Sequence, residues 1–181
     1  TYERVVFMFP GQGSQYWQMG YEMYRKESYF RTVFDQCCQL FQQLGLDVRS
    51  LLFSSSPTDE IHQTEYTQPL VFTVEYALAS QMIEWGIKPD VLIGHSIGEF
   101  AAACIAEVMS LEEAVQLVSL RGQLMQKEEP RGKMLAVFST EDEIQKYLSE
   151  KLSIAAVNAE NQVVLSGEEQ AIDEVLKDLK S

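Results

Sequence analysis

A chain of 181 residues can bury one substantial core, or a core with a small satellite, and its 46% apolar content is that of an ordinary globular protein. The net charge of −13 argues against a nucleic-acid partner, which would need clustered Lys and Arg. No apolar run of about 18 residues occurs to span a membrane, and the charged, strand-like start lacks the pattern of a signal peptide, so the expected location is the cytoplasm, with no membrane partner.

In chain order, the apolar run at 5–9 ends in Pro10-Gly11 and predicts a buried parallel strand leading into a tight loop. Helices are expected over 16–23 and 29–44, the second with Phe30, Val33, Phe34, Cys37, Leu40, Phe41 and Leu44 on one face. A loop follows at Ser54-Ser55-Ser56-Pro57. The stretch 67–85 carries Pro69 near its start and then a long helix, ended by Gly86. A short buried strand at 91–93 runs into Gly94-His95-Ser96-Ile97-Gly98 and a small-residue helix over 99–108. Ser110, with Glu113 three residues on, marks a capping box opening a further helix that carries Leu117, Leu120, Arg121 and Leu124.

The texture changes around Pro130-Arg131-Gly132. Strands at 134–138, 154–157 and 163–166, with helices at 141–149 and 168–179, give β-α-β-β-α, the split β-α-β pattern without its closing strand. We therefore expect one domain over 1–130 and a second, smaller one over 131–181, the chain stopping where a fourth strand would begin. The three cysteines, Cys37, Cys38 and Cys104, have no metal-ligand spacing and read as reduced thiols packed on helices; no metal site is expected. Arg121, Lys127, Arg131 and Lys133 form the densest basic stretch, either a local anion site or a solvated face.

Chemistry concentrates at Gly94–Gly98, which fits G-x-S-x-G. A sharp strand-to-helix turn of this kind needs glycines on both sides, and it lifts the serine to the N-terminus of the next helix, where free N–H groups and the positive dipole end point at it. The N–H of Ile97 is thereby a natural oxyanion donor. The loop Pro10-Gly11-Gln12-Gly13-Ser14-Gln15 lets backbone approach a ligand, or is merely a Gly-rich turn; it matches no phosphate-binding fingerprint. Arg121 interrupts an apolar stripe, so it either pairs with an internal carboxylate or meets an anionic substrate, for which a malonyl carboxylate would suit its bidentate fork. His95 should project away from the serine, as a structural or pocket-edge residue, and His62 reads as exposed. Neither is placed to act as base.

With PGQGSQ after the first strand, TQP at Thr67-Gln68-Pro69, GHSIGE at 94–99 and LRGQLM at 120–125 in this order and spacing, the chain resembles the malonyl-CoA:acyl carrier protein transacylases. Its wording is most similar to the acyltransferase domains of modular polyketide synthases. The resemblance implies an α/β-hydrolase-like large domain with a parallel sheet and an inserted ferredoxin-like small domain. It implies Ser96 as the acylated nucleophile, backbone N–H groups of Gln12 and Ile97 as the oxyanion hole, and Arg121, Gln68 and His95 at the substrate. Asn158 matches a position near the cleft. The family's histidine base would lie beyond Ser181, so the chain alone is expected to be inactive. Malonyl-CoA would be the substrate, with no cofactor bound by the chain. An acyl carrier protein bringing its phosphopantetheine would be the partner, within or alongside a multidomain synthase. The apolar residue after Ser96 and the YTQP stretch resemble those of malonyl-selective rather than methylmalonyl-selective members, which implies malonyl as the extender unit. Two other readings compete: a hydrolase such as a thioesterase, and a degenerate acyltransferase retained as a scaffold.

Overall fold

The computed structural model describes residues 4–127 and 132–179. Its contacts divide the chain into two units, Thr1–Lys127 and Glu128–Ser181. Together they form an α/β protein.

In the first unit, β1 (Val6–Phe9) pairs in parallel with β2 (Val91–Gly94), in register Val6 to Val91 and Phe9 to Gly94. Both were expected as strands buried on both faces, and the structure corrects this. Phe7 and Phe9 are buried, whereas Val6, Met8, Val91 and Ile93 alternate with the covered positions and stay exposed. Side chains on a strand alternate between faces, and helix α5 (Gly98–Ile105) packs on β1 and β2. Among the described residues nothing covers the other face.

A long helix, α4 (Thr64–Glu84), is the centre of this unit. It packs against α2 (Ser28–Gln43), α5 and α6 (Leu111–Lys127), and is buried on several sides, with Thr67, Gln68, Thr73 and Gln81 covered along with its apolar residues. The sequence led us to expect Pro69 near the start of the stretch 67–85, with the long helix following it. Instead Pro69 lies inside the helix. Helix α2 buries Phe30, Val33, Phe34, Cys37, Cys38 and Phe41, while Leu44 falls at its C-terminal end and is exposed. All three cysteines are free and buried.

The helix expected over 16–23 begins only at Tyr21, as α1 (Tyr21–Lys26). Gln18 and Gly20 take left-handed backbone angles, φ 61° and 79°, which break any earlier helix into turns. Two short elements were unforeseen: α3 (Val48–Leu52), capped by the Asp47 carboxylate on the Ser50 N–H, and a 3₁₀ turn at Asp59–His62. The Ser110–Glu113 capping box is present at the start of α6.

The second unit holds β3 (Gly132–Val137), α7 (Glu141–Ile144), β4 (Leu152–Ala159), β5 (Gln162–Glu168) and α8 (Glu169–Leu179). The expected helix over 141–149 stops early, at Ile144, and continues only as a 3₁₀ turn. The sheet runs β3-β5-β4 with antiparallel pairing, so β5 separates the two strands that flank α7. Val137, Ile144, Leu152, Val163, Leu165, Ile172 and Val175 form its own core. No helix among the described residues is long and apolar enough to cross a membrane.

Candidate active site

Three glycines with no room for a side chain bring the two loops of the site together. A Cβ on Gly98 would overlap the Phe9 carbonyl oxygen, and one on Gly94 would overlap the backbone at Gly98–Glu99. A Cβ on Gly11 would lie 2.6 Å from the His95 ring nitrogen Nδ1. The backbone of β1's end and of the elbow therefore run in contact, tied by the His95 N–H to the Phe9 carbonyl at 2.9 Å.

Ser96 stands at the apex of this turn with φ 54°, a left-handed conformation that a non-glycine residue adopts at a cost of order 1–3 kcal/mol. Helix α5 begins two residues later. Its opening is tight, with the Gly98 and Glu99 N–H groups donating to the His95 and Ser96 carbonyls. The N–H groups of Ile97 and Gln12 donate to no backbone carbonyl among the described residues, which leaves them as free donors at a helix N-terminus and a glycine-flanked loop.

The surroundings of Arg121 bear on its two readings. Its Nη2 donates to Ser96 Oγ at 3.2 Å, and its guanidinium carbon lies 5.9 Å from the centre of the Phe100 ring. Among the described residues no carboxylate forms an ion pair with it. The arginine is half-buried, aimed at the serine and available to an anion.

The remaining expected residues fall in different places. Ser96 and His95 are exposed, Ile97 fully buried. Neither His95 nor His62 is hydrogen-bonded to Ser96 among the described residues; His62 Nδ1 instead meets Gln15 Nε2 at 3.0 Å. Gln68 is fully buried, its Nε2 donating to Met125 Sδ at 3.3 Å and its Oε1 without a protein partner among the described residues. Asn158 is exposed on β4, in the second unit. The basic stretch is divided between the two units. Lys133 is held by Glu169 and Asp173 inside the second unit, at 2.5 and 3.1 Å, and Arg131 lies outside the described residues.

Two polar residues at the site gave no signal in the sequence. Thr64 Oγ1 accepts from Gln12 Nε2 at 3.1 Å, and the Thr64 N–H donates to Gln126 Oε1 at 2.8 Å. Glu75, on α4, was also missed. It lines a cavity of about 480 Å³ with Met8, Met19, Leu78 and Met82, to whose lining Pro10 and Ser14 also belong but Ser96 and Arg121 do not. Neither carboxylate oxygen has a protein partner among the described residues, and burial pushes its pKa up from 4.5 to about 8.

The folded chain therefore keeps a proton on Glu75 that the unfolded chain gives up near pH 4.5. This contribution is complete below pH 4.5 and lost as pH rises to about 8. Glu75→Gln mimics the protonated form. Urea melts of the 181-residue chain should show the variant gaining on the native sequence between pH 5 and 8, by up to about 1.4 kcal/mol per pH unit. A difference that stays constant with pH would contradict this.

An exposed serine on a strained strand-to-helix turn, with free N–H groups and an arginine beside it, has the local geometry of the G-x-S-x-G elbow in an α/β protein. The chain belongs to the acyl transferase domain family, whose model matches residues 6–181. It is 38% identical over 179 residues to the mycoketide-CoA synthase of Mycobacterium tuberculosis, covering 98% of this chain and 4% of that synthase. The acyltransferase domain from the second module of the salinomycin polyketide synthase is 43% identical, with a TM-score of 0.92, over 99% of this chain and 42% of that one. A malonyl-transacylase solved in complex with its type II polyketide synthase acyl carrier protein is 29% identical, with a TM-score of 0.85, over 94% of this chain and 57% of that one. The chain thus spans a small part of the synthase it matches and about half of these solved chains.

Proposed function

We propose that the protein to which this chain belongs loads a malonyl unit from coenzyme A onto Ser96 and passes it to the phosphopantetheine thiol of an acyl carrier protein. The observation that carries the reading is the Arg121 guanidinium 3.2 Å from Ser96 Oγ, with no carboxylate paired to it among the described residues. A hydrolase acting on a neutral acyl group has no use for a cation there. A thioester carrying a free carboxylate does, because the planar fork can hold both oxygens while the thioester carbonyl lies at the serine.

In the first half-reaction Ser96 Oγ attacks the thioester carbonyl, and a C–O bond forms as the hydroxyl proton passes to a base. The family pattern makes that base a histidine beyond Ser181, so the 181-residue chain alone would acylate slowly. The N–H groups of Gln12 and Ile97 would receive the oxyanion. The C–S bond then breaks, and the coenzyme A thiolate takes the proton from the base. In the second half the carrier's thiol attacks the ester carbonyl and gives its proton to the base; a C–S bond forms, the C–O bond to Ser96 breaks, and the proton passes from the base to Ser96 Oγ. The carrier partner is supported by the complex described above. On this reading the first unit is the α/β-hydrolase-like part, and the β3-β5-β4 order of the second fits a ferredoxin-like small domain.

Transfer and hydrolysis separate the proposal from a thioesterase. The full-length protein, given malonyl-CoA and holo acyl carrier protein, should yield malonyl-carrier protein. Free malonate in its place, with the carrier unmodified, would refute the transferase reading.

A further inference from the structure

The proposed oxyanion donor Gln12 sits between Gly11, whose backbone lies against His95, and Gly13, which takes φ 110°, so no side chain of a neighbouring loop residue wedges its peptide on either side. Oxyanion donors act by being fixed before the charge develops. Something else must hold this one. The geometry points to Thr64 and Gln126 as positioning residues that aim the Gln12 N–H, an inference that rests on the acyltransferase reading above.

Three contacts make the relay. The Gln12 side chain donates to Thr64 Oγ1 at 3.1 Å. Thr64 opens α4, so its own N–H has no acceptor within the helix, and it donates to Gln126 Oε1 at 2.8 Å. Gln126 lies in the last turn of α6, five residues after Arg121, whose guanidinium reaches Ser96. Between them Gly122 lets α6 press against the start of α4: a Cβ there would lie 3.1 Å from Glu65 Cα and 3.2 Å from the Thr64 carbonyl oxygen. One stretch of α6 thus holds both the cation at the nucleophile and, through Thr64, the loop carrying the oxyanion donor. Within that loop the Ser14 hydroxyl donates to the Gly11 carbonyl and the Gly13 N–H to Gln15 Oε1. Gln15 in turn meets His62, so the loop leans twice on the segment that leads into α4.

The chemistry of each contact dictates the test. Thr64→Val keeps the shape and removes the acceptor, Thr64→Ser keeps the acceptor, and Gln126→Leu removes the anchor on α6. Single-turnover acylation of the full-length protein, followed by intact-protein mass spectrometry over a range of malonyl-CoA concentrations, gives a limiting rate and a half-saturation concentration. Removing an oxyanion donor outright costs about 10²–10³-fold, and a loosened one less. Thr64→Val and Gln126→Leu should therefore lower the limiting rate by roughly 10- to 100-fold, with half-saturation and melting temperature little changed. Thr64→Ser should acylate near the native rate. Native-rate acylation by Thr64→Val, equal losses in Thr64→Val and Thr64→Ser, or losses that fall in half-saturation or follow melting temperature would each overturn the positioning role. If the unsubstituted protein itself takes no malonyl group, the functional reading fails and the relay with it. If it acylates and Thr64→Val does so equally, the relay alone fails.

Discussion

Ser96→Ala in the full-length protein should abolish malonyl transfer to the carrier and leave no acyl adduct. On the proposed mechanism the serine supplies the atom to which the acyl group bonds, so its removal deletes the covalent route rather than slowing it. Water reaching the thioester in the emptied site would release free malonate, not malonyl-carrier protein. The fold should persist, because the Ser96 side chain is exposed and, among the described residues, accepts a hydrogen bond from Arg121 alone. Relief of its left-handed backbone is not expected either, since alanine meets the same restriction at φ 54°. Transfer assays, intact mass and a thermal melt together check this. Transfer that survives the substitution would remove Ser96 from the chemistry.

Arg121→Ala should cut malonyl transfer by tens- to thousands-fold. A charge-assisted contact in a desolvated pocket is worth roughly 2–5 kcal/mol when one partner is removed. Acetyl-CoA, which has no carboxylate, should lose far less. Had the arginine neutralised an internal acid, its removal would strand a buried charge and destabilise the fold, with all donors suffering alike. Among the described residues it has no such partner, only Ser96 and the Phe100 ring, so the melting temperature should move little. Measuring malonyl and acetyl transfer side by side, with melts of both proteins, decides between the roles. Equal losses for both donors with a large drop in melting temperature would place Arg121 in the structure rather than at the substrate.

Much of the site was legible because its local geometry leaves few alternatives. Gly94, Gly98 and Gly11 stand where any Cβ meets backbone or the His95 ring, so the motif and the loop before it carry their conformation in their residue types. The change of texture near Gly132 was readable for a related reason, as helical periods give way to alternation. The 16–23 stretch was not. Its helical pattern is interrupted by Gln18 in a left-handed conformation, which a non-glycine residue disguises. The start of α4 was obscured by Pro69, whose interior position depends on tertiary packing rather than local preference. Strands β1 and β2 read as apolar throughout, yet one face is uncovered among the described residues, a fact of assembly that a run of apolar letters cannot show. Arg121 can be read two ways from its stripe, and its place beside Ser96 depends on the approach of α6 to the elbow, which no local pattern shows. The Thr64–Gln126 bond joins residues 62 positions apart, beyond the reach of any spacing argument. Glu75 hid in a helical apolar stretch where a carboxylate ordinarily faces water.

The central claim is that Ser96, with Arg121 beside it, receives a malonyl group. Its most direct test is to mix the full-length protein with malonyl-CoA, quench before the carrier is added, digest, and map the modified peptide by mass. The malonyl ester should lie on Ser96, and its yield should collapse in Arg121→Ala while acetylation from acetyl-CoA persists. An ester on another residue, or malonylation undiminished by the loss of Arg121, would contradict it.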